Sequence, residues 1–180
     1  VDHINQRLEK QIICIEDPIE YLFSDKMSSI IQREVGTDTI SFGEGLRMVL
    51  RQDPDVILIG EMRDLETMQT ALSSAETGHL VVSTMHTTDV AQAVDRIVDS
   101  FPSGQQKQIR IQLSQTIRAI VTQRLVPRKG GGGRIGAVEI MVNSPEIQDL
   151  LMEGRTGELY EVVRGSVENF GMQTLEQSLV

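Results

Sequence analysis

The chain has 180 residues, of which 39% are hydrophobic and 24% charged, and its formal net charge at pH 7 is −9. This composition is that of a globular protein with one substantial core, and no apolar stretch approaches the roughly 20 residues of a membrane-spanning helix. The negative charge argues against a nucleic-acid-binding groove, and the single cysteine, Cys14, argues against an internal disulfide or a cysteine-based zinc site.

The first half of the chain alternates strand and helix patterns. Residues 2–10 look like the last turns of a helix that begins before Val1, so we expect the chain to be part of a longer protein. Apolar segments follow at residues 11–16, 29–34, 56–60 and 80–84, and helix patterns lie at 42 to about 51 and at 65–77. This alternation predicts an α/β fold with a mainly parallel sheet and right-handed crossovers.

The second half has a different organisation. The expected elements are a helix from the cap Asp89 to about Asp99, a longer helix from Pro102 to near Val121, a hairpin of residues 122–128 and 134–142, and short helices at 144–153, 157–164 and 172–179. The glycine run at 130–133 turns the hairpin and is not a phosphate-binding loop, because neither Lys-Ser/Thr nor a helix follows it. We place a domain boundary between residues 1–142 and a C-terminal helical region, 143–180.

The strand at 56–60 presents a carboxylate. Val56–Ile59 are all apolar, as in strands covered on both faces, and Gly60 and Glu61 follow at the carboxyl end. Ligands of parallel sheets bind beyond the carboxyl ends of the strands. Glu61 is therefore a candidate to orient water or Mg2+ beside a nucleotide phosphate; the alternative is a solvated glutamate at the end of a core strand.

Three further carboxylates, Glu16, Asp17 and Glu20, lie at the end of the first apolar strand and directly after it. Clustered carboxylates suit Mg2+ coordination through water, although these could also be loop residues around the turn at Asp17-Pro18. Because a parallel sheet gathers its carboxyl ends on one edge, a second acidic strand end beside Glu61 favours the functional interpretation.

Polar residues surround the strand at 80–84. Thr84 and His86 lie at its carboxyl end and beyond, and suit hydrogen bonds to a γ-phosphate; the alternative is a polar turn before Asp89. His79 precedes the strand, so the two histidines lie at opposite ends and form a poor metal pair. The default interpretation of His79 is a surface histidine.

Two cationic residues, Arg33 and Arg63, are expected near the same edge of the sheet as these carboxylates. Either could pair with a carboxylate or contact a phosphate across a subunit boundary. We favour structural ion pairing for both.

Four segments together resemble the secretion and type IV pilus ATPases, a family of hexameric RecA-like motors. They are IEDPIEY at 15–21, QREVGTDTISFGEGLRMVLRQDPDVILIGEMRD at 32–64, ETGHLVVSTMHTTDVAQAVDRIVDSFP at 76–102 and GMQTLEQSL at 171–179. The first three look like the family's Asp box, Walker B segment and His box. The resemblance covers almost the whole chain and implies a RecA-like P-loop NTPase core, followed by a β-hairpin and a small C-terminal helical region.

The resemblance also implies roles for individual residues. Glu61 would be the catalytic Walker B glutamate, and Glu20 the Asp-box carboxylate that assists it. Residues implied to lie near the nucleotide and Mg2+, or to act as sensors, are Glu16, Asp17, His79, Thr84 and His86. The implied substrate is ATP, with Mg2+ bound through it. The implied partners are five further copies in a homohexamer and a pilus platform protein at the cytoplasmic face of the inner membrane, with peripheral membrane association and no nucleic acid.

The hairpin indicates a subfamily. Assembly and secretion members usually insert a four-cysteine zinc element after the Gln-Arg-Leu found here at 123–125, and this chain has none. The chain therefore resembles the retraction motors, which use ATP hydrolysis to power pilus retraction and twitching motility.

Two departures keep alternatives open. The family's P-loop is expected immediately before Val1, and Gln148 stands where retraction motors carry an arginine. Pilus assembly or type II secretion by a member of the same family is one alternative. A non-hydrolysing interaction fragment is another, and the net charge disfavours a RecA-like enzyme of nucleic acids.

Overall fold

The computed structural model describes residues 1–179, which form a four-stranded sheet, a two-stranded hairpin and eight α-helices among the described residues. The strands are β1 (Gln11–Glu16), β2 (Ser29–Glu34), β3 (Val56–Ile59), β4 (Leu80–Ser83), β5 (Ala119–Pro127) and β6 (Arg134–Val142). The helices are α1 (Asp2–Asn5), α2 (Phe42–Val49), α3 (Leu65–Glu76), α4 (Val90–Asp99), α5 (Ser103–Thr116), α6 (Pro145–Glu153), α7 (Leu159–Gly165) and α8 (Val167–Phe170).

The chain divides into two compact units between Met85 and His86. The first unit contains β1–β4 with α1–α3, and the second contains the hairpin with α4–α8. The domain boundary expected after residue 142 does not coincide with this division and stays a prediction.

The sheet of the first unit is parallel throughout, in the order β2-β1-β3-β4, as the alternation of strands and helices predicted. Its core has two layers. Ile13, Ile15, Ile57 and Ile59 pack with Phe42, Leu46 and Val49 of α2 and Ala71 of α3. On the opposite face, Ile12, Cys14 and Val56 form a second buried cluster, and the partly buried residues Val1, Ile4, Ile30 and Leu58 pack against it. Residues 12–15 of β1 and all four residues of β3 are apolar because both faces of these strands lie in the core.

Capping side chains precede α2 and α3, the helices that connect strands of the sheet. Ser41 accepts a hydrogen bond from the amide of Glu44 at the start of α2, and Asp64 accepts one from the amide of Thr67 at the start of α3. Each cap satisfies an amide that has no partner within its own helix. The start of α2 at Phe42 confirms the sequence prediction.

In the second unit, nine-residue strands pair antiparallel from Ala119↔Val142 to Pro127↔Arg134. One face of this hairpin packs on helices, and it includes the buried residues Thr122, Ala137, Glu139 and Met141. The opposite face leaves Val121 and Leu125 exposed. Glycines 130–133 all have positive φ and form the turn, as the sequence predicted for this run.

Three helix predictions were wrong because distant residues bind the backbone. The first helix ends at Asn5, not Lys10, since the carbonyl of Asn5 accepts from Met27 N at 2.8 Å and the carbonyl of Leu8 accepts from the Ser28 hydroxyl at 2.6 Å. The helix from Pro102 ends at Thr116, not near Val121. There, the side-chain amide of Asn143 donates to the carbonyls of Ser114 and Ile117, each at 2.9 Å.

The helix expected at 172–179 is also replaced. Gln173 exchanges two backbone hydrogen bonds with Ile140 of β6, at 2.8 and 3.0 Å, so this segment adds an extended bridge to the hairpin. A short helix, α8, precedes it, and a 3₁₀ turn occupies Gln177–Leu179. In the described part of the chain, no helix combines the length and the apolar character needed to cross a membrane.

Candidate functional site

Three strand ends of the first unit share one edge of the sheet. Ile15 lies opposite Ile59, which lies opposite Ser83, so Glu16, Gly60 and Thr84 follow in the next row. Hydrogen bonds join that row beyond the strands. The amide of Gly60 donates to Ile15 O at 2.7 Å, the hydroxyl of Thr84 donates to Gly60 O at 2.6 Å, and the amide of Met62 donates to Thr84 O at 3.1 Å.

Glu61 is the buried carboxylate of this edge, with 8% of its surface exposed. The guanidinium of Arg63 forms an ion pair with Oε1 of Glu61, which confirms that Arg63 takes part in structural ion pairing. A buried carboxylate requires such compensation because its charge is largely removed from water. Arg63 itself is largely exposed and lies one residue before Asp64, the cap of α3. The turn from β3 into α3 therefore determines where this charge pair lies.

Gly60 is required at this edge by close approach of the neighbouring strand. A Cβ atom at this position would lie 3.3 Å from Glu16 Cα and 3.3 Å from the carbonyl oxygen of Ile15. Both atoms belong to the backbone of β1, which cannot turn away as a side chain can. Close packing against β1 is therefore the physical reason for the glycine.

The carboxylates after β1 differ in how firmly they are held. Glu16 is half-buried, and its Oε1 accepts a hydrogen bond from Gln32 Nε2 at 2.8 Å. Asp17 and Glu20 are exposed in the loop that follows. Within residues 1–179 the carboxylate of Glu20 has no hydrogen-bond or ion-pair partner, so it is available to a ligand.

Side chains of β2 hold the backbone of this loop. Gln32 donates to Tyr21 O at 2.8 Å and accepts from Phe23 N at 2.9 Å, while Glu34 accepts from Ile19 N at 3.0 Å. Sequence analysis missed both residues, since a polar residue at the end of an edge strand gives no signal of its partner. Arg33, between them, makes no ion pair with a described residue, so the pairing expected for it is not found.

His79 lies at the opposite, amino end of β4. Its Nδ1 lies 2.9 Å from Ser74 O, near the end of α3, and 3.1 Å from the Thr77 hydroxyl. The amino ends of the strands also carry the ion pair of Lys10 and Asp55, at 2.8 Å. The hydrogen bond from Lys10 holds the pKa of Asp55 below its ordinary value. His79 therefore terminates a helix in the first unit, and its sensor role stays a prediction.

His86 is the first residue of the second unit, and side chains of that unit hold the segment that follows it. The carbonyl of His86 accepts from Arg96 Nη1 at 2.8 Å, and the carbonyl of Thr88 accepts from Arg124 Nε and Nη2 at 3.1 and 3.0 Å. The amide of Val90 donates to Glu139 at 3.0 Å. None of these roles was predicted from the sequence.

The sheet edge offers acceptors for cations and water but no preformed metal cage. Within residues 1–179, no three His, Cys, Asp or Glu side chains lie close enough together to hold a metal ion. Mg2+ binds proteins commonly through one or two carboxylates together with water and substrate phosphates. The carboxylates of this edge fit that mode, in which the phosphates of a nucleotide supply the remaining ligands.

Comparison with known proteins identifies the family. A family model described as type II/IV secretion system protein matches residues 1–179. The type IV pilus retraction ATPase PilT of Pseudomonas aeruginosa is 45% identical over 179 residues, which are 99% of this chain and 52% of that protein. The crystal structure of the pilus retraction motor PilT with bound ADP matches with a TM-score of 0.90 and 49% identity, over 99% of this chain and 50% of that one.

A second solved structure gives a more distant match. The Legionella pneumophila ATPase DotB has a TM-score of 0.82 and 31% identity, over 96% of this chain and 47% of its own. The chain thus spans about half the length of the relatives it matches. These matches confirm the fold class and the family expected from the four sequence segments: the chain belongs to the type II/IV secretion system protein family.

Proposed function

We propose that the chain is the C-terminal part of an ATPase motor that hydrolyses ATP to retract a type IV pilus. The observation that carries the proposal is Glu61, a buried and charge-compensated carboxylate held at the edge where parallel sheets bind ligands. Similarity to PilT over 99% of the chain supports this activity.

The proposed roles follow the geometry of the edge. Glu61 positions or deprotonates the attacking water, which is the work of a general base held close to the reacting atom. Glu20 supports the network of water and Mg2+ from the exposed loop after β1. Glu16, Asp17 and Thr84 lie close to the nucleotide, while His86, with His79 less directly, reports the γ-phosphate. Mg2+, when bound with ATP, would neutralise developing charge on the phosphates.

The proposed assembly is a homohexamer that acts on a pilus platform protein at the cytoplasmic face of the inner membrane. Support comes from the relatives, which are named as a type IV pilus retraction ATPase, a pilus retraction motor and the ATPase DotB. Attachment would be peripheral, and a role with nucleic acid is disfavoured by the net charge of −9.

The test is Glu61→Gln in the full-length protein. The variant keeps the shape of the side chain but removes the base, so we expect ATP binding to stay near wild type while kcat falls by about 10²-fold or more. Glu76→Gln, at the exposed end of α3 on the opposite edge, is the matched control and should leave kcat unchanged. Turnover near wild type in Glu61→Gln would refute the assignment.

A second candidate is pilus assembly or type II secretion, and it rests on one residue. Gln148, half-buried on α6, stands where the resemblance to retraction motors leads us to expect arginine. Expression of the full-length protein in a strain without its retraction motor separates the candidates. Restored twitching supports retraction, whereas restored piliation of a strain without its assembly ATPase supports the second candidate.

A non-hydrolysing interaction fragment is the third possibility, retained from the sequence because the P-loop is expected outside these residues. Measurement of ATP hydrolysis by the full-length protein tests this alternative. Turnover that depends on Glu61 excludes it.

A further inference from the structure

We propose that Glu139 and Arg124, two side chains of the hairpin, are positioning residues that hold the His86–Val90 segment and thereby hold His86 in place for its proposed role as γ-phosphate sensor. The inference rests on the proposed function, because it takes His86 as the residue that contacts the γ-phosphate. Its geometry lies entirely within the second unit.

The segment between His86 and Val90 is held by side chains at four backbone groups. Two of these bonds come from α4 itself: Arg96 binds the carbonyl of His86 at 2.8 Å, and the amide of Thr88 donates to Gln92 at 2.7 Å. The other two backbone groups, the carbonyl of Thr88 and the amide of Val90, bind side chains of the hairpin, about 35 to 50 residues further along the chain. The path of this segment is therefore determined by tertiary partners and not by local sequence alone.

Glu139 is the buried member of this arrangement, with 6% of its surface exposed. Its Oε2 accepts from the amide of Val90 at 3.0 Å and from the hydroxyl of Thr122 at 3.1 Å. Thr122 lies opposite Glu139 in the hairpin register, so strand pairing holds both on the same face. Val90 is the first residue of α4, where the helix dipole favours a negative charge. Removing the carboxylate would leave a buried amide and a hydroxyl without this acceptor.

Arg124 holds the same segment from two residues further along β5. Its Nε and Nη2 both donate to the carbonyl of Thr88, at 3.1 and 3.0 Å. Alternation along the strand places it on the same face as Thr122. Two donors in a rigid fork fix the direction of the carbonyl, which lysine could not do with a single ammonium.

These contacts give the hairpin a function beyond packing. His86 lies two residues before Thr88, and four before Val90, so its backbone follows the positions that Arg124 and Glu139 determine. Misplacing a catalytic contact by about 1 Å costs on the order of a hundredfold in rate. We therefore expect loss of either hairpin contact to lower turnover through His86, with little effect on binding of ATP by other residues.

The experiment uses the full-length protein with the variants Glu139→Ala, Glu139→Gln, Arg124→Ala and His86→Ala. Glu139→Ala should lower kcat by about tenfold to a hundredfold and change KM for ATP by less than about threefold. Glu139→Gln should restore most of the activity, because its amide oxygen can still accept from Val90 and Thr122. In the His86→Ala background, Glu139→Ala should add less than about twofold.

Hydrogen exchange of the peptide spanning residues 86–92 tests the contact without any need for turnover. Glu139→Ala and Arg124→Ala should speed exchange in this peptide, while Glu139→Gln should not. Matched controls are Glu161→Ala at an exposed position of α7 and Arg134→Ala at the exposed end of β6. Both should leave kcat and the exchange rate of this peptide unchanged. If Glu139→Ala does not fold, the proposal is tested with Arg124→Ala, because Arg124 occupies an exposed position of β5.

Two results would overturn the proposal. Unchanged exchange in both alanine variants would contradict the contacts, and kcat losses that multiply in the His86→Ala background would show that the hairpin does not act through His86. Either result can occur while Glu61→Gln still abolishes turnover, in which case the proposed ATPase function stands. Full activity in both Glu61→Gln and His86→Ala would instead remove the proposed function and this inference together.

Discussion

Replacing Gly60 with alanine tests whether β1 and β3 are as close as the structure places them. The new Cβ would lie 3.3 Å from two backbone atoms of β1, Glu16 Cα and Ile15 O. The strands would have to separate by a few tenths of an ångström at the point where Gly60 N donates to Ile15 O at 2.7 Å. Because both neighbours are backbone atoms, the strain cannot be relieved by a rotamer change.

The expected magnitude follows from three opposing terms. Overpacking costs about 1–3 kcal/mol, and weakening one hydrogen bond costs up to about 1 kcal/mol. Reduced entropy of the unfolded chain returns about 0.4–1 kcal/mol. We expect a net loss of about 1–2 kcal/mol in the free energy of unfolding, which corresponds to a fall of about 0.5–1 M in the urea midpoint at a typical slope.

The assay is urea unfolding of the chain followed by circular dichroism, with Gly104→Ala as the matched control. Gly104 lies in the first turn of α5 with no heavy atom within 4 Å of its would-be Cβ and no positive φ, so alanine there should raise stability by about 0.4–1 kcal/mol. A midpoint for Gly60→Ala at or above that of wild type, alongside the expected rise in the control, would refute the close approach of β1.

Two further predictions concern groups with shifted pKa values. The pKa of Asp55 is lowered in the folded chain by the hydrogen bond from Lys10 and next by that from Gln11 N, so its stabilising contribution is present above the ordinary value of 3.8 and is lost as pH falls through the lower folded value. Asp55→Asn should therefore unfold at lower urea than wild type at pH 6, and the two should converge in acid; a constant difference across urea titrations at all pH values would contradict this. Burial raises the pKa of the Cys14 thiol to about 12, so iodoacetamide at pH 8 should label it only after unfolding, as measured by mass spectrometry; rapid labelling of the folded chain would show that Cys14 is accessible.

The strands and helix starts of the first unit were predictable from sequence because local chemistry determines them. The bounds of β1 and β2 match the predicted segments at 11–16 and 29–34, and α2 begins at the predicted residue 42, after its cap Ser41. In the second unit, α4 likewise begins after the predicted cap Asp89. A cap needs only a side-chain oxygen and an amide two or three residues later, so its signal lies within one turn.

Helix ends in the same chain were harder to predict. The helix α5 stops where Asn143, 26 residues beyond Ile117, binds its last carbonyls. The extended segment at Gln173 depends on an open position beside Ile140. In each case a tertiary hydrogen bond outweighs local helix propensity. The sequence near residues 117 and 173 does not indicate that Asn143 and Ile140 are the partners.

The candidate site was predictable to a similar extent. Parallel topology was enough to place Glu16, Glu61 and Thr84 on one edge, and an ion pair was expected at Arg63, for which the structure identifies Glu61 as the partner. The contributions of Gln32 and Glu139 were missed, because each acts on the backbone of a loop distant in sequence. Residue types that carry chemistry leave a pattern in sequence, whereas residues that hold a loop do not.

The hydrogen bonds that join Ile15, Gly60, Thr84 and Met62 have a consequence for motion. They connect the ends of β1, β3 and β4 in one continuous series, with donor–acceptor distances of 2.6 to 3.1 Å. Opening any one strand end would break bonds shared with the next, so the edge should fluctuate as a block on fast timescales. The loop after β1, where Asp17 and Glu20 are exposed, lacks this constraint on its side chains. In the nucleotide cycle that we propose, the side chains of that loop would rearrange around a Glu61 that keeps its place in the sheet.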